Sequence, residues 1–212
     1  MKRQIRSLEE CRVELGEVQT RIAKIINDSV EHWGKIELFS SENIGFTDFK
    51  LRTKASFIHD IIASQLGMEF LNDSNIKIGT FNGVFGFLYK DLFFIRFKKL
   101  NAKNFSTSNV ITQQTLKYKY QHAEIEGLSN YPTILYAGYT LDQHDYNLQG
   151  IYFVCRDGDN IQWIDQIGVY GFEQTSFVFS NVKDDEKEIE RVVKSRVKAK
   201  DVKKKKTGTG NI

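Results

Sequence analysis

The run Leu92-Phe93-Phe94-Ile95-Arg96-Phe97-Lys98 holds the chain's most distinctive pair of charges. Side chains alternate across a strand, so Phe93, Ile95 and Phe97 share one face, and Leu92, Phe94, Arg96 and Lys98 the other. Two cations beside bulky apolar residues need an anion, a carboxylate or solvent. This face is a candidate site for phosphate, nucleic acid or an acidic partner. The competing reading is a cationic strand end that protects a sheet edge. Arg52 and His59, seven positions apart in a helical stretch, fall on one helical face. Gln113 and Tyr118 would line a pocket with Arg96 and Lys98 if the site takes a nucleotide or other small molecule.

Other chemistry has little support. Asp157-Gly158-Asp159-Asn160 begins like a calcium loop, but Gly168 stands where the closing acid should be, and the stretch reads as a hairpin turn. His32, His122 and His144 lack metal-ligand spacing. Cys11 and Cys155 cannot make a disulfide framework or a zinc knuckle. Glycine-rich phosphate loops, Gly-x-Ser-x-Gly and His-Glu-x-x-His are absent from the sequence. No cofactor or metal is implied, and catalysis has no positive support.

The net charge of +3 is unevenly spread. Nine basic residues and one acidic residue follow residue 190, against 21 basic and 26 acidic before it. Lys203, Lys204, Lys205 and Lys206 concentrate the excess, and such a tail gains affinity for nucleic acid by counterion release without reading sequence. No apolar run approaches a membrane span, and the N-terminus has no apolar signal core, so a cytoplasmic protein without membrane contact is expected.

The elements that must position these residues follow from periodicity. Leu8, Cys11, Leu15, Val18, Ile22 and Ile25 recur at heptad spacing, preceded by a Ser7–Glu10 capping box. This predicts a helical arm over residues 1–34 that serves a protein partner or a homodimer, or folds back on its own domain. A second helix is expected from Phe49 to Leu66, capped by Thr47 or Asp48 and stopped by Gly67, with Leu51, Ala55, Ile58 and Ile62 as its buried stripe. Three strands follow, Ile76 to Thr80, Gly83 to Tyr89 and Leu92 to Lys98, turned by Asn82-Gly83 and Lys90-Asp91. A helix from Val110 to about Glu124, capped by Ser108 or Asn109, leads to strands at Thr133 to Leu141, Gly150 to Arg156 and Ile161 to Ile167. Phe177 to Phe179 adds a short strand, and a charged helix starts near Asp184. The expectation is an α+β fold with antiparallel sheet in the order α-βββ-α-βββ. Residues 35–182 form its globular domain, and residues 183–212 a charged helix with a disordered lysine-rich tail.

The order α-β-β-β-α-β resembles the core of restriction-endonuclease-like nucleases. That resemblance implies an Asp followed by an acidic-x-Lys pair. Here Asp91 is followed by Arg96-Phe97-Lys98, with a cation where a metal-binding acid should stand. It implies at most a degenerate, nucleic-acid-binding version. Arg52-x6-His59 fits the loose motif of small helical ribonucleases, whose all-helical fold this strand-rich sequence does not share.

A further series is Arg52-Thr53-Lys54-Ala55-Ser56, Ile95-Arg96-Phe97-Lys98-Lys99-Leu100, Asn109, Thr112-Gln113, Gln121, Ala137-Gly138-Tyr139-Thr140-Leu141 and Gln162-Trp163. It is similar to an uncharacterised group of bacterial proteins on prophages and mobile elements, which often lie beside a repressor-like DNA-binding protein and a zinc metallopeptidase. The resemblance covers roughly residues 51–167. It implies a role in toxin–antitoxin, phage-control or phage-defence systems, with a cognate protein partner, and carries over no catalytic residue.

Overall fold

A computed structural model describes residues 4–168, apart from residues 44, 46–48, 108–111, 129–130 and 144–146. The expected strand at Phe177 to Phe179, the charged helix after Asp184 and the lysines 203–206 lie outside the described residues, as do the cap candidates Thr47, Asp48, Ser108 and Asn109.

Helix α1 spans Leu8–Asn43 and begins with the expected capping box. The Ser7 amide donates to Glu10 Oε2 at 2.7 Å, and the Glu10 amide to Ser7 Oγ at 3.2 Å. At Gly16 the backbone turns to φ 42°, ψ −120°, a conformation that strains any residue with a Cβ, and α1 kinks there. The helix runs nine residues past the expected boundary at 34 and is no separate arm. Cys11, Leu15, Val18, Ile22 and Ile25 are buried in the chain's own core, widened by Ala23, Ile26, Val30 and Trp33, while Leu8 is half-exposed. A stripe this wide is that of a core-facing helix rather than a coiled-coil seam. The residues that suggested a dimerising surface are thus used inside the fold.

Helix α2 (Leu51–Glu69) buries Lys54, Ile58, Ile62 and Leu66. The stripe is rotated from the expected one: Leu51 is exposed and Lys54 takes the inward position. The Lys54 ammonium lies 5.8 Å from the Trp33 ring centre and 3.8 Å from Glu37, so a cation is buried with a partner. Gly67 falls inside the helix, which runs on to Glu69 with Phe70 as its C-cap.

Six strands form one sheet in chain order: β1 (Ile76–Phe81), β2 (Val84–Tyr89), β3 (Phe93–Lys99), β4 (Thr133–Leu141), β5 (Leu148–Asp157) and β6 (Asn160–Gly168). Asn82 and Gly83 both take positive φ at the β1–β2 turn, the geometry a two-residue hairpin demands. All neighbours are antiparallel except β3 and β4, which run parallel, with Arg96 opposite Tyr136. The expected antiparallel sheet is thus antiparallel at every pairing but this one, where the return through a helical crossover brings β4 beside β3 in the same direction. The crossover helix α3 covers only Gln113–Lys119. The predicted continuation to Glu124 fails because Gln121 leaves the helix to bond the sheet.

The described residues are α+β in three layers. Under α1 and α2 lie Phe93, Ile95, Phe97, Leu135, Ala137, Phe153 and Cys155. The opposite face carries two smaller clusters. Leu88, Phe94 and Ile134 meet Tyr118, Ile125 and Leu128, whereas Tyr136 and Val154 meet Leu100 and Phe105.

Candidate functional site

Alternation along β3 sends Arg96 and Lys98 to the face bearing these two clusters, as the sequence pattern required. Arg96 sits between them. Its guanidinium carbon is 4.8 Å from the Tyr118 ring centre and 5.4 Å from that of Tyr136. Nη1 donates to the Tyr136 hydroxyl at 3.4 Å, a long contact, and Nε has no hydrogen-bond partner. The Tyr136 hydroxyl in turn donates to the Tyr118 carbonyl at 3.1 Å, and the Tyr118 hydroxyl to the Phe81 carbonyl. Both phenols are thereby fixed, and with them the plane of the guanidinium.

Arg96 is 2% exposed. Among the described residues it has no carboxylate partner. Stacking on a desolvated ring contributes about 2 kcal/mol, against an effective penalty of several kcal/mol for taking a charge out of water. The two rings offset that penalty only in part. Lys98 is half-buried, and its pKa is lowered, first by burial and then by the neighbouring Arg96 charge. The pair is a concentrated positive site whose own chain does not neutralise it among the described residues.

The support of this site begins in the crossover. Thr112 and Thr115 form a capping box at the start of α3, and Gln121 locks its far end. The Gln121 side-chain amide donates to the carbonyls of Ile134 and Arg156, each at 2.8 Å, and accepts from the Ile134 amide at 3.0 Å. Its own backbone amide donates to Asp157 at 3.0 Å. A side-chain amide thus substitutes for strand backbone at the end of the β4–β5 ladder, holding Tyr118 over Arg96.

Of the other residues proposed from sequence, Tyr118 joins this pair by stacking on Arg96, whereas Arg52, His59 and Gln113 make no hydrogen bond or ring contact with it. Arg52 is exposed on α2, and Gln113 is exposed at the first position of α3. His59 packs edge-on against Phe85 on the helix-covered face, with ring centres 5.5 Å apart. Its pKa is lowered by burial above all, then by the Lys98 charge, with Asp60 opposing. The Arg52–His59 pair therefore has no common site. Asp91 is tied to Lys77 at 3.2 Å, away from a metal-binding role, and Arg96 occupies the position of the second acid. No metal-holding cluster of three acids, cysteines or histidines occurs among the described residues. Asp157 and Asp159 serve the β5–β6 turn and its neighbour α3: Asp159 pairs with Lys119 at 2.9 Å. Cys11 and Cys155 are fully buried, and burial pushes both thiols up to about 12, so neither is poised as a nucleophile. No described helix is long and apolar enough to cross a membrane.

Tyr136, Gln121 and Lys54 were not singled out from sequence as part of a site. The motif series contained Gln121 and Lys54 without a role, and nothing local links Tyr136 to Arg96 across residues 100–132. Compared with protein-family models, curated proteins and solved structures, the chain has no significant match to any of them.

Proposed function

We propose that this chain is a non-catalytic recognition protein that holds an anionic group of its partner at Arg96 and Lys98. In this reading it is a component of a bacterial mobile-element, phage-defence or toxin–antitoxin-like system. The observation that supports the anionic site is the guanidinium of Arg96, buried between two tyrosines without a carboxylate among the described residues. Among the described residues no metal-holding cluster of acids stands beside the pair, and His59, whose pKa is lowered by burial and then by the pair's charges, packs against Phe85 on the helix-covered side. The biological setting rests on the resemblance of residues 51–167, and the lysines 203–206 add nucleic-acid affinity. The test is co-purification with the products of adjacent genes. The wild type is expected to retain a partner that Arg96→Met and Lys98→Met release. Equal retention by all three proteins would remove the site from the proposal.

A second reading is a nucleic-acid-binding protein with a degenerate nuclease-like core. It is favoured by the helical crossover that brings β4 parallel to β3 within the α-β-β-β-α-β order. It expects DNA or RNA affinity that falls steeply with salt and survives removal of residues 191–212. Affinity lost completely with that tail would sink it.

A further inference from the structure

We infer that the anion taken at Arg96 and Lys98 is a single terminal phosphate, a phosphomonoester dianion, rather than a stretch of nucleic-acid backbone. The inference rests on the anion-recognition reading above and gives it a ligand class. Three observations carry it.

The first is charge. Arg96 and Lys98 supply two positive charges on one strand face, and a phosphomonoester carries −1.5 to −2 near neutral pH. The second is shape. Arg96 and Lys98 are two residues apart on β3, so their backbones are separated by roughly 7 Å. Both side chains are long enough to converge on one phosphate group across that separation. The guanidinium is a planar fork with an unpartnered Nε, 2% exposed, so a phosphate meets it only when the side chains above it move aside, and Lys98 adds a point charge from the half-exposed side. Tyr118 and Tyr136 hold the fork in place before any ligand arrives, which lowers the ordering cost of binding. The third is what surrounds the pair. Two other cations of the crossover and β5 are already engaged: Arg156 donates to the carbonyls of Asn104, Phe105 and Asp159, and Lys119 pairs with Asp159. Neither is free to extend a track.

The ligand's phosphate has two sources, a free nucleotide or the 5′ end of a strand. Isothermal titration of the full chain with inorganic phosphate, adenosine monophosphate, a 5′-phosphorylated decanucleotide, the same strand with a 5′-hydroxyl, and sulfate separates them. Binding of phosphate and of at least one phosphomonoester is expected, at least ten-fold tighter than sulfate or the hydroxyl strand. Preference for the mononucleotide assigns the free source; preference for the phosphorylated strand assigns the strand end. Arg96→Met is expected to weaken binding at least ten-fold while its thermal melt stays at or above that of the wild type, because it removes a buried charge. Arg96→Lys, which keeps the charge and loses the fork, is expected to weaken it as well. Sulfate as tight as phosphate, or equal affinity for the two strands without mononucleotide binding, would overturn the phosphomonoester and leave the anion site standing. No heat with any of the five would overturn both.

Discussion

Replacing Gln121 with Ala tests the device that seats α3 on the sheet. Gln121 is 3% exposed, and its amide satisfies both the N–H and the C=O of Ile134, itself fully buried, and the carbonyl of Arg156. Truncation leaves the two Ile134 groups without that partner. Each orphaned buried group costs about 1–3 kcal/mol, so the substitution is expected to cost about 2–6 kcal/mol. That is a large share of the roughly 5–15 kcal/mol by which domains are stable. Urea unfolding followed by fluorescence of the two tryptophans measures it, with the midpoint shift converted through the unfolding slope. Gln121→Glu separates the hydrogen bonds from side-chain volume. It keeps an acceptor for the Ile134 amide but turns a carboxylate oxygen toward two carbonyls, so it is expected to destabilise at neutral pH and to recover partly on acidification, when a protonated carboxyl can donate. A loss below about 1 kcal/mol for Gln121→Ala would refute the argument that this amide replaces strand backbone.

Three further outcomes follow from the same structure. Leu15→Asp places a charge at a position 1% exposed and is expected to cost more than about 4 kcal/mol, whereas Val13→Asp, at a position 79% exposed, is expected to change the melting temperature little; a folded Leu15→Asp that has merely lost a dimer would restore the coiled-coil reading. Gly16→Ala is expected to destabilise by about 1–3 kcal/mol, opposite in sign to helix propensity, because of the kink geometry; a raised melting temperature would show that a straight helix is tolerated. His59 titrates in the fold below its ordinary value of 6.5, so the unfolded chain takes up the proton first as pH falls. The stability this linkage contributes is complete above about pH 6.5 and is lost as pH drops through the lowered value, and His59→Gln is expected to flatten the fall in urea midpoint between about pH 7.5 and 5.5; an unchanged slope would exclude His59 as the cause.

What was legible in the sequence was local. The capping box at Ser7 and Glu10, the turn at Asn82-Gly83 and the alternation that sends Arg96 and Lys98 to one face depend on neighbours a few positions away. What was not legible depends on distant partners. Lys54 looks like a surface residue until Trp33 and Glu37 are brought to it from α1. The stretch after Lys119 reads as helix until Ile134 and Arg156 offer Gln121 better hydrogen bonds. Gly16 reads as a weak point in a straight helix, because a glycine that must bend and one that merely fails to help look alike. The heptad stripe of α1 was visible, but its partner was not: the same spacing serves another chain or the chain's own sheet. Of the candidate site, the charges and Tyr118 were legible, and Tyr136, which reaches Arg96 from β4, was not.

The parallel seam between β3 and β4 also divides the molecule in time. On either side of it, β1–β3 and β4–β6 are runs of adjacent hairpins whose contacts close short loops. The seam instead waits for residues 100–132 to loop back, and the entropy of closing a long loop must be met before its contacts repay it. Among the sheet's strand pairings it is expected to form last. Arg96 and Tyr136 face each other across that seam, so the charge is enclosed only when the two halves of the chain finally join. A ligand held there would act as a clasp on the one strand pairing of the sheet that no hairpin closes.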